Sequence, residues 1–148
     1  MPRFLEIFLA LLLLLVLIPF LIPIIIILFL TGEHKVFYLQ NRVGYKNQNF
    51  KILKFATMLS NSENMGSGSL TLRNDPRVLP FGSFLRKTKI NELPQIVNVI
   101  IGDLSIVGPR PQLRIDFEKY SKDIQETLLA FSSISPGFNS IESGLNFA

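Results

Sequence analysis

The chain of 148 residues is 48% apolar, carries a net charge of +4 and contains no cysteine. That is enough chain for one domain, without a disulfide framework or a thiolate zinc site, and it agrees with a cytoplasmic setting. His34, the single histidine, borders an apolar stretch, so histidine metal clusters and Ser/His/Asp hydrolase chemistry are excluded. The basic residues are interleaved with acids beside a hydrophobic anchor and point to anionic headgroups or phosphorylated substrates rather than nucleic acid.

Residues 1–6 are a short head holding Arg3 and Glu6, and residues 7–30 carry no charge. As a straight helix the uncharged run extends about 36 Å, more than the roughly 30 Å of hydrocarbon in a bilayer. It is too long and its head too weakly basic for a secretory signal, and no small-x-small cleavage site follows. Pro19 lies mid-run with Pro23 one turn later. Each removes a helical hydrogen bond, and Pro19 leaves two arms of roughly 18 Å. Two topologies are open: a kinked single span, or a re-entrant helix that bends at Pro19 and leaves by the face it entered. Lys35, Arg42, Lys46, Lys51 and Lys54 follow closely, which puts the remainder in the cytoplasm in either case. The domain reading is a membrane anchor over residues 1–30 and a cytoplasmic domain over residues 31–148.

Residues 36–40 read as a strand, 41–44 as its turn, and 50–55, where Phe50 and Ile52 alternate with Lys51, as a second strand. Residues 59–69, rich in Ser, Asn and Gly and without period, read as a loop of the kind that can cover a site. Asn74-Asp-Pro-Arg77 is a turn, since a residue before proline avoids the helical region. A short helix over residues 80–87 leads into residues 88–111. There Leu93, Ile96, Val97 and Ile100 share one helical face, Asn91 is the expected N-cap, Pro94 sits in the first turn and Gly102 ends the helix. A helix start favours anions. Here it carries Glu92 with Arg86, Lys87 and Lys89 just before it, a set suited to a metal–phosphate ligand. Residues 113–132 predict one longer helix with Leu113, Phe117, Tyr120, Ile124 and Leu128 on a face, stopped by Ser135-Pro-Gly137. The fold class is α/β and helix-rich: an N-terminal membrane helix and a small domain with a short β-hairpin and interfacial helices.

Leu85-Arg-Lys-Thr-Lys-Ile-Asn-Glu-Leu-Pro-Gln95, then Asn98-Val99, then Gly102-Asp-Leu-Ser-Ile-Val-Gly-Pro-Arg-Pro111 resembles the signature of the bacterial sugar transferases, the monotopic polyprenyl-phosphate phosphoglycosyl transferases. Val36-Phe-Tyr-Leu-Gln40 with Arg42-Val-Gly44 is similar to that family's juxtamembrane strand and turn. Lys54-Phe-Ala-Thr-Met58 is similar to its next motif, with Ala56 where an Arg is usual. The resemblance implies a re-entrant helix broken at a proline, and Pro19 fits by its spacing from Gln40, although Ile18 replaces a common Ser. It also implies further amphipathic helices after the Pro-Gly turn, so the chain reads as C-terminally short.

The resemblance implies transfer of a phosphosugar from a UDP-sugar to polyprenyl (undecaprenyl) phosphate at the cytoplasmic face of a bacterial inner membrane, initiating a lipid-linked surface glycan. Such chemistry needs charge stabilisation on phosphoryl oxygens, a positioned nucleophile and usually Mg²⁺. Glu92 is the candidate Mg²⁺ ligand or base. Lys54, Arg86 and Arg110 are the candidate phosphate-binding cations, with Lys87 as added charge and Pro109 and Pro111 restricting Arg110. The implied mechanism is ping-pong, through an Asp-Glu dyad whose Asp attacks the β-phosphate. The dyad here is Asn91-Glu92, and an amide has no anionic oxygen. Three readings follow: an active variant using Glu92 or direct displacement, a catalytically silent membrane-anchored binding or assembly protein, or a changed position. Retained transferase activity is the expectation. Neither the sugar nor the oligomeric state is legible in the residues.

Overall fold

The structure is a computed structural model and describes residues 2–66, 71–108, 110–131 and 137–140. In chain order the elements are α1 (Arg3–Leu30), β1 (Phe37–Val43), β2 (Asn49–Phe55), α2 (Pro80–Lys87), α3 (Ile96–Ile101), β3 (Ser105–Gly108), α4 (Arg114–Glu118), α5 (Lys122–Phe131) and β4 (Gly137–Ser140), with a 3-10 turn over Ile90–Gln95 leading into α3. The result is the expected helix-rich α/β fold with a long apolar N-terminal helix.

α1 is 28 residues long and runs on through Pro19 and Pro23, where a break at Pro19 is expected from sequence. Each proline deletes only its own N–H bond, and apolar neighbours keep the rest of the ladder. The helix is long and apolar enough to cross a membrane. The chain forms two compact units, and α1, β1 and β2 each contribute to both.

The first unit comprises Met1–Leu15, Leu39–Leu53 and Gln95–Ala148. Its core is Ala10 of α1, Ile52 of β2, Ile96 and Val99 of α3, and Leu104. Arg3 Nη1 donates to Glu6 at 2.8 Å and to the Leu104 carbonyl at 3.1 Å, and its Nη2 donates to the Val99 carbonyl. The predicted helix face is shifted: Val99 is buried with Ile96, Val97 and Ile100 pack only partly against the core, and Leu93 is half-exposed. The 3-10 first turn, with three residues per turn, advances the phase of the face. Asn91 therefore lies inside that turn instead of capping α3, whose N-cap is Gln95. Gly102 ends α3 at φ 107° as expected.

β1 continues through the residues predicted as its turn, because the Val43 N–H donates to the Gln112 carbonyl at 2.8 Å and Arg42 forms a bridge with Leu113. The turn falls at residues 44–48, where Lys46 and Asn47 take φ of 51° and 63°. The single helix predicted over residues 113–132 is two, α4 and α5. Ser121 separates them, its carbonyl accepting the Gln125 N–H at 2.9 Å, as suits a residue that prefers helix ends. Ser132, Ser135 and Pro136 lie outside the described residues. β3 and β4 pair in parallel, Ser105 opposite Gly137 and Val107 opposite Asn139, a sheet not predicted from sequence.

The second unit comprises Val16–Tyr38 and Lys54–Pro94. Leu85 and Phe55 are buried, and Phe37 stacks on Phe55 with ring centroids 5.6 Å apart. α2 starts at Pro80 as predicted. The loop after residue 58 is held by Arg77, only 3% exposed. Its Nε and Nη2 donate to Asp75 at 2.9 and 2.6 Å, and its Nη1 donates to the Ser62 and Met65 carbonyls at 2.6 and 2.8 Å. Glu33 accepts the Ser60 N–H at 2.7 Å and the Ser60 hydroxyl. Part of the covering loop expected from sequence, residues 67–69, lies outside the described residues.

Candidate active site

Four of the predicted site residues, Lys54, Arg86, Asn91 and Glu92, belong to the second unit. Lys54 comes from the end of β2. Its Nζ donates to Glu92 Oε1 at 3.3 Å, with both side chains largely shielded. Glu92 is in the 3-10 turn, where its N–H donates to the Lys89 carbonyl at 3.1 Å. Lys89 starts that turn at φ 62°. The ion pair engages one carboxylate oxygen, so Oε2 remains available to a ligand.

Asn91 is 7% exposed, and its Oδ1 is buried without a hydrogen-bond donor among the described residues. A buried carbonyl left without a donor costs about 1–3 kcal/mol, so the turn carries an unsatisfied polar group one residue before Glu92. The groups that touch each other are Lys54 and Glu92. Asn91 contributes proximity in sequence and an oxygen without a partner.

Arg86 occupies the last turn of α2, where a cation suits the helix dipole. Its guanidinium is half-buried, and its Nη1 and Nη2 donate to the hydroxyls of Thr57 at 3.3 Å and Thr71 at 2.9 Å. Among the described residues no carboxylate pairs with it, whereas Arg77 in the same unit is fully matched by Asp75. The Arg77 guanidinium holds the Asp75 carboxyl far below the usual carboxylate range. A shielded guanidinium facing only neutral hydroxyls is a ready receptor for an anionic oxygen. Lys87 is exposed beside it. Sequence reasoning did not find Thr57, Thr71 or Gly82. Thr57 stands inside the Lys54-Phe-Ala-Thr-Met58 motif, but nothing local signals its partner.

Arg110 belongs to the first unit and is exposed. Its turn is held from β1: Arg42 Nη1 donates to the Pro111 carbonyl at 2.9 Å. Pro109, its other predicted brace, lies outside the described residues.

No group of three or more His, Cys, Asp or Glu capable of holding a metal occurs among the described residues. The donor set nevertheless fits Mg²⁺, which takes oxygen ligands and is commonly held by one or two carboxylates plus substrate phosphates. Glu92, with one carboxylate oxygen outside its ion pair with Lys54, is the carboxylate of that kind in this unit.

A family model described as bacterial sugar transferase matches residues 1–143. The chain is 40% identical over 99 residues to the UDP-N-acetylgalactosamine-undecaprenyl-phosphate N-acetylgalactosaminephosphotransferase of Aeromonas hydrophila, covering 67% of this chain and 23% of that protein. It is 39% identical to the exopolysaccharide production protein ExoY of Sinorhizobium fredii, covering 57% and 44%. It is 37% identical to the undecaprenyl-phosphate galactose phosphotransferase of Salmonella typhimurium, covering 63% and 22%. The chain thus spans less than half the length of each of these relatives.

Proposed function

Because the chain belongs to the bacterial sugar transferase family, we propose that it transfers a phosphosugar from a UDP-sugar to undecaprenyl phosphate at the cytoplasmic face of the inner membrane, initiating a lipid-linked surface glycan. The names of the relatives carry both substrate classes. The observation that carries the reading is Arg86, a shielded guanidinium without a carboxylate partner among the described residues, in the unit that holds the Lys54–Glu92 pair.

In this reaction the bond between the β-phosphorus and the oxygen bridging to the α-phosphorus breaks. UMP leaves, and the β-phosphoryl sugar is joined to an oxygen of the lipid phosphate. Arg86 binds phosphoryl oxygens bidentately and Lys54 adds a point charge, so negative charge building on those oxygens meets fixed cations. Glu92, with Lys54 fixing one of its oxygens, is the residue that would hold Mg²⁺. When bound, the ion neutralises charge on the pyrophosphate. α1 keeps the protein at the bilayer, where a lipid-soluble acceptor must be met.

Asn91 favours one other reading, a membrane-anchored homologue that binds substrate without turnover. One assay separates the two: UMP release from a panel of UDP-sugars by the purified chain with Mg²⁺, with and without undecaprenyl phosphate. We expect release that requires the lipid acceptor. Asn91→Asp, which restores an anionic oxygen, should add acceptor-independent UMP release and trap a phosphosugar on the protein. No release by the wild-type chain, with release by Asn91→Asp, would support the silent form.

A further inference from the structure

We propose that Thr57 is a positioning residue for Arg86: its buried hydroxyl, together with that of Thr71, orients the guanidinium for the phosphoryl oxygens of the nucleotide sugar. The proposal rests on the reading of Arg86 as a phosphate-binding group.

Arginine's five N–H donors lie in one plane, so its value to a phosphate depends on how that plane is turned. Nothing in α2 itself fixes the plane; the contacts that do are the two threonine hydroxyls. They differ in kind. Thr71 is exposed, whereas Thr57 is 5% exposed and its backbone is held by neighbouring segments. Its carbonyl accepts the Leu79 N–H at 2.9 Å, and the next residue, Met58, bridges Val78. α2 approaches the Thr57 backbone so closely that a Cβ on Gly82 would lie 2.3 Å from the Thr57 carbonyl oxygen. Glycine is required at residue 82 for space, and that contact sets the distance between Thr57 and the helix bearing Arg86. A neutral acceptor orients the guanidinium without cancelling its charge. A carboxylate in the same place would neutralise it, as Asp75 does for Arg77.

The test compares Thr57→Val, which keeps the shape and removes the hydroxyl, with Thr57→Ser, which keeps the hydroxyl and removes a methyl. UDP binding to the full chain and acceptor-dependent UMP release are the readouts, with Arg86→Ala as reference and the thermal midpoint as a check on folding. Loss of one charge-assisted hydrogen bond should weaken UDP binding about tenfold in Thr57→Val. Thr57→Ser should stay near wild type, and the midpoint of Thr57→Val should fall by no more than a few degrees, so that the chain stays folded. The reverse order, Ser impaired and Val intact, would mean that Thr57 only packs, and would overturn the proposal. So would unchanged binding and turnover in Thr57→Val while Arg86→Ala loses both, which would leave the phosphate reading of Arg86 standing. A wild-type chain that neither binds UDP nor releases UMP would remove the transferase reading and this proposal with it.

Discussion

Arg77 and Arg86 carry the same side chain in the same unit and serve opposite ends. Arg77 spends its donors on Asp75 and on the Ser62 and Met65 carbonyls, so it closes the segment after β2 and offers nothing to a ligand. Arg86 keeps its charge. The Asp75 carboxyl is depressed chiefly by the hydrogen bond from Arg77, with backbone N–H groups of Arg77 and Leu72 adding to it against the cost of burial. An ordinary aspartate titrates near about 3.9. A depressed native value means that the stabilisation is complete above that pH and is lost as pH falls toward the native value. Asp75→Asn should therefore lower the thermal midpoint by a constant amount at and above about pH 5. The gap between variant and wild type should close as the pH drops below the ordinary aspartate range. A gap that widens on acidification would mean the pair is not what holds this segment.

At the scale of elements, Asn98 joins α3 to β2. Its Oδ1 accepts the Leu53 N–H at 2.9 Å and its Nδ2 donates to the Lys51 carbonyl at 2.8 Å. Its own carbonyl takes the N–H groups of Gly102, Asp103 and Leu104 as the helix ends. Asn98→Leu keeps the bulk but strands two strand groups away from water, which should cost roughly 2–4 kcal/mol in denaturant unfolding. Asn98→Asp should cost at least as much: it keeps an acceptor for Leu53 but sets a buried carboxylate against the Lys51 carbonyl and the Asp103 carboxylate, to which Nδ2 now donates at 2.8 and 3.3 Å. This bracket explains what was legible from sequence. α2, the end of α3 at Gly102 and both strands of the hairpin were readable because proline, glycine and alternation act over a few residues. The extension of β1 depends on Gln112 and Leu113, and the β3–β4 pairing on residues about thirty positions apart, so no local signal carried them. The candidate site follows the same rule. Lys54, Arg86, Asn91 and Glu92 stand out by residue type and motif, whereas Thr57 and Gly82 become meaningful only once α2 is laid against the end of β2.

At the scale of the molecule, the open matter from sequence is whether α1 spans or re-enters. The helix is tied by polar bonds at both ends. In its first turn Arg3 donates to the carbonyls of Val99 and Leu104. Just past its last turn, Glu33 accepts from Ser60. Pro19 and Pro23 each remove a helical hydrogen bond and crowd the preceding turn, so bending of α1 in the bilayer is inexpensive, and a helix that bends there can return to the face it entered. We therefore expect Pro2→Cys and Lys35→Cys, each introduced into a chain without cysteine, to react with a membrane-impermeant maleimide from the same side of sealed inverted vesicles. That side should be the cytoplasmic one, where the cluster from Lys35 to Lys54 belongs. Labelling of the two positions from opposite sides would establish a span.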